Sequence, residues 1–152
     1  MEHQPLPEGY RPVKEALPIA LTRAREAVLS HWRPLISARG FTEQQWRVLR
    51  VVSEYEPIDI STLASFSALH MPSVTRILQA LQKRGYISRE RDAADSRRSW
   101  IRVTQKARDV MYAEGMKSLE INDRLVEKFG EERLNQLSRL LNDLAELRID
   151  ND

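Results

Sequence analysis

The chain has 152 residues, 41% hydrophobic and 30% charged, which suits one compact domain with a core and a solvated surface and leaves little room for a second. It carries no cysteine, which excludes disulfides, thiolate catalysis, cysteine-based redox sensing and cysteine-ligated zinc. The net charge is only +2, and His3, His31 and His70 lie far apart with no His-x-x-x-His pair, so no metal and no cofactor is expected.

Residues 1–16 are rich in proline (Pro5, Pro7, Pro12) and contain no apolar run of targeting or membrane-spanning length. They are expected to form an arm ahead of a single domain over 17–152, in a chain that stays in the cytoplasm. A first helix is predicted from about Leu17 to Arg39, with Leu17, Leu21, Ala24, Val28, Trp32 and Leu35 along one stripe. Pro34 lies inside it as an expected kink, and Gly40 is placed to end it.

Thr42 and Gln45 have capping-box spacing, and Phe41 and Trp46 the spacing of a hydrophobic staple, so a second helix starts here. Trp46, Leu49, Val52 and Ser53 are its predicted inner face. Ile58-Asp59-Ile60 alternates like a short strand, and Ser61 is the predicted cap of a short helix that turns Leu63, Ala64 and Phe66 or Ser67 inward. After a tight connection at His70-Met71, Pro72 opens the next helix, PSVTRILQALQKR, with Val74, Ile77, Leu78 and Leu81 buried and Gly85 as its stop.

Tyr86 to Arg91 and Ser99 to Val103 alternate as strands around the polar loop DAADSRR, which makes a hairpin. Thr104 caps a long helix to about Phe129, carried by Ala107, Val110, Met111, Leu119, Asn122, Leu125 and Val126. Gly130 ends it, and a last helix repeats Leu134, Leu137, Leu141, Leu144 and Leu147 at near-heptad spacing, widened by Leu140.

A short helix, a sharp turn and an amphipathic second helix form a helix-turn-helix, and the hairpin behind it forms a wing. Charge follows the same division. From Pro72 to Arg102 eight basic residues face three acidic ones, and from Arg108 onward seven basic residues face eleven acidic ones. A basic middle suits a polyanion. On the outer side of the recognition helix, Ser73, Thr75, Arg76 and Gln79 are the candidate DNA contacts, since arginine reads guanine, glutamine reads adenine and hydroxyls reach bases or phosphates. In the wing, Asp95 is placed to steer Arg97 by a charge-assisted bond, and Arg97 and Arg98 suit the negative minor groove. Taken alone, each set also reads as an ordinary solvated polar face.

The run SVTRILQALQKRGYI followed by RERDAADSRRSWIRVT resembles the MarR family of bacterial transcription regulators. The family's wing pattern falls on Asp95, Arg97, Arg98 and Thr104, and the resemblance extends over about residues 17–148. Two positions depart from the pattern: Ala107 stands where the family usually has glycine, and Met71 precedes Pro72 where a small polar cap is common. The resemblance implies a mainly α fold with a small β wing, a winged helix-turn-helix over about 42–103, and dimerisation helices at about 17–39 and 104–148. It further implies a homodimer on a palindromic double-stranded operator. LTRAREAVLSHWRPL and TEQQWRVLRVVSE are similar to repressors of aromatic-compound degradation, which implies release by a small aromatic carboxylate or phenol. Arg25, His31, Trp32 and Arg47 are the candidate residues for that ligand, as cations and an aromatic wall. No enzyme is expected, because the chain has no G-x-S-x-G elbow, no glycine-rich phosphate loop and no histidine set beside an acid. The alternative is a winged-helix adaptor that binds protein and reads no DNA.

Overall fold

The computed structural model describes residues 7, 9–10, 12–13, 15–93, 95 and 98–147. Six helices and one hairpin follow in the order α1 (Leu17–Ala38), α2 (Glu43–Tyr55), α3 (Ile60–Ser67), α4 (Met71–Lys83), β1 (Ile87–Arg91), β2 (Ser99–Val103), α5 (Gln105–Phe129) and α6 (Glu131–Glu146). Most of the expected N-terminal arm, namely residues 1–6, 8, 11 and 14, lies outside the described residues. Among the described residues, no helix is long and apolar enough to cross a membrane.

Helix α2 starts as its sequence predicts. The Thr42 hydroxyl accepts the Gln45 N–H at 3.2 Å, the Gln45 side chain accepts the Thr42 N–H at 3.1 Å, and the Phe41 and Trp46 rings lie 5.7 Å apart. Its buried residues are Val48, Leu49 and Val52; Trp46 and Ser53 are half-buried.

The next connection differs from expectation. Ile58 makes only an isolated bridge to Ile101, and the cap of α3 is Asp59 rather than Ser61. The Asp59 carboxylate accepts both the Thr62 N–H at 3.0 Å and the Thr62 hydroxyl at 2.9 Å, so the helix begins early enough to absorb Ile60. Ser67 takes the inward position, while Phe66 is exposed and packs on Tyr55 at 4.7 Å.

Helix α4 buries the four predicted residues, Val74, Ile77, Leu78 and Leu81. Each contributes about 1.5–3 kcal/mol by leaving water. The hairpin pairs Ile87 with Val103 through Arg91 with Ser99. Thr104 caps α5 by accepting the Ala107 N–H and donating to the Gly85 carbonyl at 2.7 Å. Ala107 is fully buried there, so the methyl that replaces the family's usual glycine is accommodated in the core. α1 runs on through Pro34 to Ala38. Among the described residues, no buried hydrophobic side chain precedes Ile36 or follows Ala107. The core therefore lies beneath α2, α3, α4 and the hairpin; α5 adds Ala107 to it and, about two turns further on, buries Glu114, a residue its apolar pattern did not announce.

Candidate functional site

Because Val74, Ile77, Leu78 and Leu81 fix one face of α4 to the core, the opposite face is settled. Arg76 and Gln79 are exposed, and neither makes a hydrogen bond or ion pair among the described residues; Ser73 and Thr75 are half-buried on the flanks. His70 precedes the helix without a side-chain cap and Pro72 occupies its first turn, leaving an N-terminal end that suits a phosphate. The turn before it is tight: Ala68 adopts a left-handed φ of 50°, and the Leu69 N–H returns to the Ala64 carbonyl at 3.1 Å.

The wing is closed at its base by Asp92. Its carboxylate accepts the Trp100 indole N–H at 2.6 Å and the Asp95 N–H at 2.9 Å. Asp95 is exposed, and its carbonyl accepts the Arg98 N–H. Arg97, together with Ala94 and Ser96, lies outside the described residues, and so does the expected pairing of Arg97 with Asp95. Arg98 folds back instead of pointing freely outward. Its guanidinium lies 3.7 Å from Asp59 and 5.4 Å from the centre of the Trp100 ring. The Thr62 N–H, chiefly, holds the Asp59 carboxyl below its usual range against the opposing push of burial, and Arg98 adds to the lowering.

On the far side of α2 lies a groove of about 990 Å³ between α1, α2 and α6. Leu21, Val28 and Trp32 of α1, Trp46 of α2 and Leu141 and Leu144 of α6 supply much of its apolar wall, and Arg25, Glu43, Arg47 and Arg50 its charged rim. Glu43 is the hub of that rim. It accepts Arg47 at 2.7 Å, lies 3.6 Å from Arg33 and pairs closely with Arg25. Burial pushes its carboxyl up, but bonds from Arg47 and Arg25 outweigh this and hold it below the usual range. Arg50 lines the same groove and has no ion pair among the described residues.

Of the four residues expected at a ligand site, Arg25, Trp32 and Arg47 are brought together, whereas His31 is exposed and off the groove lining. Trp46, Glu43 and Arg50 were not singled out for it. Their signal was present in helical spacing: Glu43 and Arg47, and Trp46 and Arg50, are i,i+4 pairs on neighbouring faces of α2.

Residues 41–99 match the model of the MarR family. Over 134 residues the chain is 33% identical to the homoprotocatechuate degradative operon repressor of Escherichia coli, covering 88% of this chain and 90% of that one. It is also 33% identical over 129 residues to the HTH-type transcriptional regulator FarR of Neisseria gonorrhoeae, covering 85% and 88% respectively. NadR, solved in complex with 4-hydroxyphenylacetate, superposes with a TM-score of 0.81 at 30% identity, over 95% of this chain and 100% of that one. Agreement in sequence along nearly the whole length, and in overall fold, leaves one assignment: the chain belongs to the MarR family of DNA-binding transcriptional regulators.

Proposed function

We propose that the chain represses an operon for degradation of an aromatic compound, binding a palindromic operator as a homodimer and leaving it when a small aromatic carboxylate or phenol enters the groove. The observation that carries this is the groove itself, an apolar cleft with Trp32 and Trp46 in its wall and Arg25, Arg47 and Arg50 on its rim, set directly behind the helix-turn-helix. Arg50, without an ion pair among the described residues, draws a ligand carboxylate to the rim, where Arg25 and Arg47 are shared with Glu43. Ser73, Thr75, Arg76 and Gln79 read the major groove, and the wing, with Asp95, Arg97 and Arg98, follows the minor groove or its backbone. The exposed apolar faces of α1 and α6 that wall the groove also meet a second copy, so the ligand site lies at the dimer interface, and that copy supplies the second recognition helix a two-fold operator needs. The protein acts by binding rather than catalysis, in the cytoplasm, as one domain over 17–152 behind its arm.

The test is binding to a duplex that the protein itself selects from a random pool, against scrambled DNA, over a range of salt. The expected outcome is a preference of about a thousandfold or more, with affinity falling steeply as salt rises. 4-Hydroxyphenylacetate, the ligand named for NadR, should weaken operator binding. Equal and weak binding to both DNAs would favour the protein-binding adaptor instead.

A further inference from the structure

Arg47 belongs to two sites at once. It lines the groove on the middle of α2, its side chain one-third exposed, and its two terminal nitrogens go to different elements. Nη2 donates to Glu43 Oε1 at 2.7 Å, and Nη1 donates to the backbone carbonyl of Ser67 at 3.1 Å. Ser67 is the last residue of α3 and fully buried, its own hydroxyl committed to the Leu63 carbonyl at 2.5 Å. The next residue, Ala68, is the one non-glycine with positive φ among the described residues, and it starts the turn that launches α4. A left-handed alanine is a conformation held by its surroundings rather than by its own preference.

On its other side Glu43 is shared with Arg25 and Arg33 of α1. A continuous series of charged bonds therefore runs from α1, through Glu43 and Arg47, to the carbonyl at the root of the recognition helix. A cation at a helix C-terminus is commonly just a cap. Arg47 differs because the carboxylate that orients it stands on the rim of an open apolar groove, where a second carboxylate can compete for the same guanidiniums.

We propose that Arg47 is the positioning residue that couples the groove to the recognition helix: an aromatic carboxylate displaces Glu43 from Arg25 and Arg47, draws Arg47 off the Ser67 carbonyl and frees the α3–α4 turn to re-aim α4. This rests on the ligand site proposed above. Charge, reach and direction agree with it. The competing groups are like charges, so the ligand and Glu43 cannot both hold the pair of arginines closely. The Ser67 carbonyl is a neutral acceptor, which yields to an anion.

Wild type, Arg47→Gln and Glu43→Gln are compared for affinity to the selected operator, with and without saturating 4-hydroxyphenylacetate, after thermal melting has established that each is folded. In wild type the ligand should lower affinity about tenfold, an ordinary coupling factor. Both variants should bind about tenfold more weakly without ligand and lose less than a further twofold with it. A merely structural Arg47 would lower the melting point yet leave the with-and-without ratio at the wild-type value, and that ratio, or unchanged operator affinity in both variants, overturns the proposal. If Arg47→Gln fails to fold, Glu43→Gln decides alone, since it releases the same link from the rim. Should wild type ignore the ligand while both variants still bind the operator tenfold more weakly, the link stands and the ligand reading falls. With wild type unresponsive and the variants binding as wild type does, both fall.

Discussion

Along α4 the apolar residues Val74, Ile77, Leu78 and Leu81 all find partners within the same chain, whereas along α6 Leu137, Leu140, Leu141 and Leu144 stay 37–58% exposed. The two helices carry similar stripes in sequence. Their fates differ because α4 is covered by α2, α3 and the hairpin, while α6 packs chiefly on α5 and turns its leucines to the groove. The helix-turn-helix and wing are thus complete within one chain, and the terminal helices expose apolar surface of the kind that marks an interface. The same chemical insult should therefore have different consequences in the two regions.

Leu78→Ala should be the most damaging change, costing about 2–5 kcal/mol of folding stability as a fully buried leucine is replaced by a cavity. Denaturant unfolding checks it, and a loss below about 1 kcal/mol would mean that the head is not the rigid half of the molecule. Leu141→Glu puts a charge on the exposed stripe. It should leave each chain folded by circular dichroism yet convert the dimer to monomers in sedimentation, with operator affinity down about a hundredfold as the two half-sites lose their linkage. A Leu141→Glu protein that remains dimeric would remove α6 from the interface.

Within the head, Arg76→Ala should weaken operator binding about tenfold to a hundredfold and relax preference at one base pair, because a base-reading arginine is worth about 1–3 kcal/mol. The check is a titration against operators changed one base pair at a time. Arg97→Ala should act more evenly across sequences and reduce the salt slope by about one phosphate contact. Arg98→Ala sharpens the contrast between the two wing arginines: with Arg98 turned toward Asp59 and Trp100, its removal should reduce affinity with little change in salt slope.

How much could be read in the sequence follows the same division. The capping box at Thr42, the four buried residues of α4, the strand Ser99–Val103 and the cap at Thr104 were legible because each is set by near neighbours in the chain. Ser61 was misread as a cap, since Asp59 sits inside an apparent alternation and its advantage, two bonds to Thr62, appears only once the chain turns. The lining of the groove was half legible. Arg25, Trp32 and Arg47 stand on polar or aromatic steps of helical stripes, but a groove belongs to three helices at once. Trp46 at its staple position reads as core until α6 is seen to leave that side open. Glu114, on a long helix with little else buried, gave no signal, because its partner Arg39 is 75 residues away.

That pair lies on the seam between the two regions and tests it most finely. Glu114 is 3% exposed, and it accepts Arg39 Nε at 2.6 Å and Lys117 Nζ at 3.4 Å, tying the end of α1 to α5. The bond from Arg39 is the main reason its carboxyl sits below the ordinary value of 4.5, against the opposing push of burial. A carboxyl with a depressed folded pKa contributes stability above its unfolded pKa and loses that contribution as pH falls through the folded one. Glu114→Gln should therefore cost about 1 kcal/mol at neutral pH, a small effect because Arg39 is partly exposed and regains water. The gap in melting temperature between wild type and variant should hold steady from pH 7 to about 5 and close as the carboxylate is protonated below that. A gap that persists unchanged in acid would mean that the shape of the side chain, and not its charge on Arg39, joins α1 to α5.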